Sequence, residues 1–233
     1  MEETVSTSER EKSSLQLIIF DMDGLLIDSE PLWLLSRKEI LQQFRQVYTP
    51  EDKKKVMGTD YEVGVQMLID EYNLPITVGE FSEMEVKILD NLFEKKLRFM
   101  PGAKEFLDRV DAVGIPKAIA TSSNRHRLNL TNRVLGLDDF DASVTGEEIK
   151  KGKPEPDIYL AAAEKLGIEP DNCLALEDAP GGVKAAKAAG MVTVAVLDTR
   201  YSTADDFKGD AEPDLLVNSL EELDIDQLKG LFK

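Results

Sequence analysis

Two residue types that often carry chemistry are almost absent from this sequence. Cys173 is the only cysteine and His126 the only histidine among 233 residues. A single thiol excludes a disulfide framework and a cluster of thiolate metal ligands, and it suits a reducing compartment. We expect Cys173 to pack in the core, and we expect His126, which falls on a predicted helix, to lie on the surface. Other side chains must therefore carry the chemistry.

Basic residues are also scarce. Lysine and arginine number 28 against 45 aspartates and glutamates, which gives a formal net charge of −17 and a pI of about 4.5. Nucleic-acid binding and adhesion to anionic membranes both favour a basic surface, so we expect neither kind of partner. An anionic small molecule is still compatible with this composition, since a single site can be locally positive.

Long apolar runs are missing as well. No run reaches the length of a membrane-spanning helix, and the first residues contain no apolar secretory segment. We interpret residues 1–14 as a flexible, solvated tail and expect a cytoplasmic protein. The remaining length can bury a sizeable core, as one large domain or as one domain with an insertion.

Short apolar segments typical of buried strands alternate with helical patterns from Met100 onward. This alternation predicts an α/β fold, a Rossmann-like parallel sheet flanked by helices. One further strand is predicted at 16–20, and the residues between have helical apolar spacing without a good strand pattern. We therefore predict a core domain of residues 15–30 and 100–233, with an inserted all-helical domain at 31–99.

Polar residues follow four of the predicted strands, directly or in the next loop. In a parallel sheet the carboxyl ends of the strands face one cleft, so we expect these side chains to converge. In chain order they are Asp21 and Asp23, Thr121 to Ser123, Lys153, and Glu177 with Asp178.

These residue types suit phosphoryl transfer. A carboxylate can attack phosphorus, and Mg²⁺ can bridge carboxylates and a phosphate, with Asp21 and Asp178 as candidate ligands. Lys153 and Thr121 can hold the other phosphate oxygens. Asp23 faces the same side as Asp21 in an extended chain, where it can protonate a leaving group and later activate water.

Each motif alone also has a purely structural interpretation. Asp23 with the following glycine can form a turn, and Asp178 can cap a helix. Ser123 and Asn124 are expected to cap the helix after the second strand. Lys153 could be an ordinary exposed lysine. The functional interpretation depends on all four motifs occurring together.

The four motifs are FDMDGLLIDSE, ATSS, GKPEPDIY and LEDAPGGVKAAKAAGM, in this order. With a helical block after the first motif, the chain from Gln16 onward resembles the haloacid dehalogenase superfamily of aspartate-nucleophile phosphatases. The resemblance implies that Asp21 is the nucleophile and Asp23 the general acid and base. It also implies that the helical block is a cap over the site.

The resemblance further implies how the ligands are held. Mg²⁺ would bind the side chains of Asp21 and Asp178 and the main-chain carbonyl of Asp23, with Glu177 bound directly or through water. The phosphate would bind Thr121, the backbone amide of Ser122, and Lys153.

Within the superfamily the chain is most similar to the β-phosphoglucomutase-like subgroup. It resembles phosphatases of 2-deoxyglucose 6-phosphate, hexitol phosphates, pseudouridine 5′-phosphate and glycerol phosphate. This implies hydrolysis of a small phosphorylated metabolite, a sugar, polyol or nucleoside 5′-monophosphate. We expect a monomer or weak homodimer. Candidate substrate-pocket residues are Trp33, Thr59 and Asn124, and Trp33 could equally belong to the core of the cap.

Four alternatives stay open at this point. A sugar phosphomutase of this subgroup uses a cap histidine and a cap arginine, where this chain has Trp33 and Tyr61. A dehalogenase needs no Mg²⁺, which the pair Glu177 and Asp178 argues against. A phospho-receiver domain lacks a cap and carries its aspartate in a middle strand. A catalytically idle regulatory protein on the same fold is the alternative of another class, although every required side chain is present.

Overall fold

The computed structural model describes residues 14–56 and 61–232. The predicted tail at 1–14, apart from its last residue, and the pocket candidate Thr59 lie outside the described residues. Within the described part, no helix combines the length and apolarity needed to cross a membrane.

Six parallel strands form one sheet in the order β3–β2–β1–β4–β5–β6, as the alternating pattern predicts. The strand β1 is central and pairs with β2 on one side and β4 on the other. The carboxyl ends of these three strands therefore lie side by side. The strands are β1 Leu17–Phe20, β2 Lys117–Thr121, β3 Ala142–Thr145, β4 Cys173–Glu177, β5 Val192–Val196 and β6 Leu215–Val217.

Both faces of the sheet are covered by apolar side chains. Leu17 and Ile19 belong to one buried cluster, whereas Ile18 and Phe20 belong to another. Since successive side chains of a strand point to opposite faces, β1 contributes to two cores at once. This explains why β1 is apolar throughout instead of alternating. As expected, Cys173 is buried at the start of β4.

The described ranges contain nine α-helices. Five of them lie between β1 and β2, and the first four of these share an apolar cluster that includes Ile40, Leu68 and Phe81. The helices are α1 Glu30–Gln43, α2 Pro50–Val56, α3 Tyr61–Tyr72, α4 Val78–Lys96, α5 Ala103–Val113, α6 Arg125–Leu135, α7 Asp157–Leu166, α8 Pro180–Ala188 and α9 Ile225–Lys229.

The helix α4 packs into two different cores. It begins with a capping box between Thr77 and Glu80, and its first turns place Phe81 in the cluster of the helical block. Its later turns place Leu89 and Phe93 in the cluster on one face of the sheet. The helical block is thus tied directly to the sheet, and the predicted domain boundaries stay predictions.

The two connections between the block and the sheet run beside each other. Ile27 and Phe99 form an antiparallel bridge, and the Met100 amide donates to the Leu26 carbonyl at 2.9 Å. The chain thus enters and leaves the helical block at one place, next to the carboxyl end of β1.

Candidate functional site

The register of the sheet brings Asp21 and Glu177 together. Strands β1 and β4 pair from Leu17 with Cys173 to Phe20 with Leu176, and the Asp21 amide donates to the Leu176 carbonyl at 3.0 Å. The next residue of each strand carries a carboxylate at the same edge. Both carboxylates are nearly inaccessible, with Asp21 7% and Glu177 2% exposed.

Lys153 lies between these carboxylates. Its Nζ is 2.5 Å from Asp21 Oδ1 and 2.6 Å from Glu177 Oε1, and it also donates to the Ala120 carbonyl at 3.1 Å. The Tyr159 hydroxyl donates to the same Glu177 oxygen. Glu177 thus holds Lys153 in place as well as contributing charge, and the loop before α7 is fixed against two strands.

The cluster has more negative charge than Lys153 can balance. Carboxylate oxygens of Asp21, Glu177 and Asp178 lie within 4.8 Å of one another, so three carboxylates share one ammonium. Burial raises the pKa of Asp21 to about 8, although Lys153 acts in the opposite direction. Burial, with the charges of Asp21 and Glu177, also raises the pKa of Asp178 well above its usual range.

A divalent cation fits this environment, because it would compensate the two excess negative charges. All the donors are carboxylate oxygens, which suit hard cations such as Mg²⁺. The pKa of Lys153 also indicates that the cluster has excess negative charge. Burial alone would lower it, but the charges of Asp21 and Glu177 raise it instead, so the lysine stays protonated. The described residues at this edge can therefore hold a metal ion.

Two glycines allow the carboxylates to approach closely. Gly24 has φ +87°, and a Cβ there would lie 2.1 Å from Asp178 Oδ2. At Gly182, in the first turns of α8, a Cβ would lie 1.9 Å from the carboxyl group of Glu177. Any side chain at these positions would collide with the acidic cluster, so the glycines are part of the site.

Asp23 is held by the turn after β2. Its Oδ2 accepts a hydrogen bond from Ser123 Oγ at 2.8 Å and a weaker one from Thr121 Oγ1 at 3.4 Å. Its Oδ1 is buried and has no hydrogen-bond partner among the described residues. Asp23 does not belong to the acidic cluster through its side chain, which agrees with a separate role for that carboxyl group.

The other predicted residues differ in their surroundings. Ser122 is exposed in the turn after β2. Asn124 caps α6, because its Oδ1 accepts from the Arg127 amide at 2.8 Å, so this pocket candidate already uses its acceptor. Trp33 is partly buried on α1 and packs against a cluster on the sheet.

Two residues near the site have contacts that the sequence did not reveal. Of the two residues expected to cap α6, only Asn124 does so, while the Ser123 hydroxyl binds Asp23 instead. The second is Tyr159, which ends the motif GKPEPDIY. Its position six residues after Lys153 was the only available signal.

Comparisons with known proteins identify the family of this chain. Residues 18–196 match the family model described as haloacid dehalogenase-like hydrolase. The curated "Probable pseudouridine-5'-phosphatase" of Drosophila melanogaster is 36% identical over 193 residues, covering 79% of this chain and 82% of the relative. The "Phosphorylated carbohydrates phosphatase" of Thermotoga maritima is 32% identical over 178 residues, covering 76% and 82%.

A solved structure is also similar to this chain. The "putative beta-phosphoglucomutase" of Thermotoga maritima superposes with a TM-score of 0.80 at 30% identity, covering 93% of this chain and 99% of that one. The chain belongs to the haloacid dehalogenase-like hydrolase family, as its four motifs predict.

Proposed function

We propose that this protein is a Mg²⁺-dependent phosphatase that hydrolyses a small phosphomonoester through a phosphorylated Asp21. The observation that carries this proposal is the largely buried cluster of Asp21, Lys153, Glu177 and Asp178. Close by in the chain is an Asp23 oxygen that has no hydrogen-bond partner among the described residues. The named phosphatases among the relatives support this class of enzyme.

Asp21 is the nucleophile of the proposed reaction. One of its carboxylate oxygens forms a bond to phosphorus while the ester bond to the leaving oxygen breaks. Lys153, at 2.5 Å, orients Asp21 and favours its ionised form against the effect of burial. The Lys153 ammonium, the Thr121 hydroxyl and the Ser122 amide stabilise the charge on the other phosphoryl oxygens.

The metal ligands we propose are the side chains of Asp21 and Asp178 and the main-chain carbonyl of Asp23. Glu177 contributes directly or through water, since its Oε1 already accepts from Lys153 and Tyr159. When bound, Mg²⁺ supplies the positive charge that allows a carboxylate and a phosphate to approach each other.

Asp23 moves the protons. In the first half-reaction it donates a proton to the leaving oxygen, so that an alcohol departs. In the second it accepts a proton from the water that attacks the aspartyl phosphate, which releases inorganic phosphate and restores Asp21. We assign both transfers to its Oδ1, which has no hydrogen-bond partner in the part of the chain that the structure describes.

The substrate we propose is a sugar, polyol or nucleoside 5′-monophosphate. Two relatives are named for pseudouridine 5′-phosphate and for phosphorylated carbohydrates, which supports this range. The helices α1 to α4 would act as the cap that selects the alcohol, with Trp33 and Thr59 as pocket candidates. We further propose a cytoplasmic enzyme that is a monomer or weak homodimer.

A sugar phosphomutase is the second candidate, because the similar solved structure carries that name. Tyr61 occupies the position expected for the cap arginine, and its hydroxyl donates to Glu85 at 2.8 Å. A tyrosine engaged in this way does not provide a cationic clamp for a second phosphate. Incubation with a hexose 1-phosphate and the corresponding bisphosphate distinguishes the two candidate functions. A mutase converts the hexose 1-phosphate into an isomer, whereas a phosphatase releases inorganic phosphate.

The decisive test is turnover of p-nitrophenyl phosphate with and without EDTA, for wild type and Asp21→Asn. We expect Mg²⁺-dependent turnover in wild type and none in the variant. The exposed Asp108 provides a matched control, and Asp108→Asn should behave as wild type. Metal-independent turnover, or an active Asp21→Asn variant, would contradict the proposal. A phosphorylated form lasting many minutes would favour a regulatory switch over an enzyme.

A further inference from the structure

Ser123 contains a hydroxyl to which the proposed function assigns no role. It lies two residues after β2, and its Oγ donates to Asp23 Oδ2 at 2.8 Å. The hydroxyl is not needed for the start of α6, since Asn124 provides that cap. The contact joins two segments that are 100 residues apart in the chain, at the carboxyl group proposed to move protons.

The two oxygens of Asp23 have different surroundings. Ser123 binds Oδ2 at a normal hydrogen-bond distance, whereas Thr121 is at 3.4 Å, the outer limit of such a bond. Oδ1 is buried without a partner among the described residues. A carboxyl group that is fixed through one oxygen presents the other in a defined direction, and a donor at Oδ2 favours placing a proton on Oδ1.

The backbone of Ser123 is itself held from both sides. Its amide donates to Thr121 Oγ1 at 3.0 Å, and its carbonyl accepts from the Gly146 amide at 3.2 Å. The hydroxyl therefore approaches Asp23 from a fixed turn between β2 and the loop after β3. Such fixed support is what a proton-transferring group needs in order to keep its orientation.

We propose that Ser123 is a positioning residue for proton transfer by Asp23; this role depends on the proposed function. As Asp21 bonds to phosphorus, the ester bond breaks and its electron pair goes to the leaving oxygen. The proton on Asp23 Oδ1 moves to that oxygen. Ser123 keeps its own proton throughout and holds Oδ2, so that Oδ1 points at the leaving group.

The test compares Ser123→Ala with wild type on two substrates of similar size, benzyl phosphate and p-nitrophenyl phosphate. Benzyl alkoxide is strongly basic and needs a proton to leave, whereas nitrophenolate leaves without one. For benzyl phosphate we expect kcat/KM to fall on the order of 10- to 100-fold, which is part of the rate enhancement that general acids provide. For p-nitrophenyl phosphate the fall should be less than about 3-fold, since its leaving group needs no proton. The ratio kcat/KM covers only the steps up to loss of the leaving group, so it isolates this transfer.

Inhibition by inorganic phosphate provides the second measurement, and we expect its inhibition constant to stay unchanged in Ser123→Ala. The matched control is Thr131→Val, which removes a buried hydroxyl of α6 without a partner among the described residues. Equal losses on both substrates, or weaker phosphate inhibition, would assign Ser123 to phosphate binding or to structure and overturn its positioning role. If wild type hydrolyses neither substrate, the proposed function fails and the role of Ser123 fails with it.

Discussion

Replacing Asp178 by asparagine should reverse the order of stability between variant and wild type when Mg²⁺ is added. In the metal-free protein the buried carboxylates of Asp21 and Glu177 and the partly buried carboxylate of Asp178 share the charge of Lys153. Asparagine has nearly the same shape but no charge, so it removes part of the repulsion and of the desolvation that raise the pKa of Asp178. We expect the metal-free variant to be more stable by about 1–3 kcal/mol. For a chain of this length each kcal/mol corresponds to roughly 2–4 °C in Tm.

Saturating Mg²⁺ should remove the stability advantage of Asp178→Asn over wild type. A ligand present at 100 times its Kd stabilises the folded state by about 2.7 kcal/mol. Wild type should therefore gain roughly 5–10 °C in Tm from saturating Mg²⁺. Asp178→Asn lacks one proposed ligand and should gain little. The variant should melt above wild type in EDTA and at or below it in Mg²⁺.

The assay is thermal denaturation in EDTA and in Mg²⁺ at matched ionic strength, followed by circular dichroism. Asp108→Asn, with its exposed carboxylate, should shift with Mg²⁺ as wild type does. If the wild-type Tm does not respond to Mg²⁺, the cluster is not a metal site. If Asp178→Asn is less stable in both conditions, Asp178 stabilises the fold by itself and the inferred charge excess is wrong.

Three further outcomes follow from the same cluster. Tyr159→Phe removes a buried donor to Glu177 and should lower the free energy of unfolding by about 1–3 kcal/mol, measured by urea denaturation. Gly24→Ala should abolish the Mg²⁺-dependent gain in Tm, because its Cβ would lie 2.1 Å from Asp178 Oδ2 at a φ of +87°; an unchanged gain would show that Asp178 is not a ligand. In EDTA, the free energy of unfolding should fall as pH rises from 3.8, the ordinary pKa of an aspartate, toward about 8. Burial raises the pKa of Asp21 to about 8, so across this range the folded state binds a proton that the unfolded state has released. Added Mg²⁺ should reduce this pH dependence, and a rise of stability across that range would contradict the raised pKa.

The chemical part of the site was predictable because it follows local patterns. Asp21 and Glu177 stand where buried apolar strands end, so hydrophobic runs alone locate them along the chain. A parallel sheet then requires these ends to share one edge. Lys153 is in a loop and has no such periodicity, and only the surrounding motif distinguished it from Lys150 and Lys151.

Side-chain partners across long separations were not predictable in the same way. Ser123 and Asn124 are both good helix caps by residue type, and only the fold shows that Asp23 is within reach of the first. Tyr159 lies on the buried face of α7 and has the pattern of an ordinary core residue. Its hydroxyl reaches Glu177 because α7 packs on β1, β2 and β3, and β1 pairs with β4, which ends at Glu177.

The helix α4 illustrates a related limit of pattern analysis. Its apolar residues form one stripe in the sequence, yet Phe81 and Phe93 pack into different clusters. A helix of 19 residues is about 28 Å long, which is enough to cross from one core to another. Periodicity identifies the buried face of a helix but not which core covers each part of it.

The same packing constrains how the proposed cap can change its substrate. The part of α4 near the sheet is fixed by apolar contacts and by Arg127 on α6, which pairs with Asp90 at 3.1 Å and lies 4.3 Å above the Phe93 ring. Farther along α4, Glu85 accepts hydrogen bonds from Arg37 at 3.1 Å and Tyr61 at 2.8 Å. Substitutions near the sheet would disturb the core that supports β1 and the proposed nucleophile Asp21, whereas substitutions around Glu85 would leave that core intact. Differences in substrate among relatives should therefore concentrate in the part of α4 and its neighbours that faces away from the sheet.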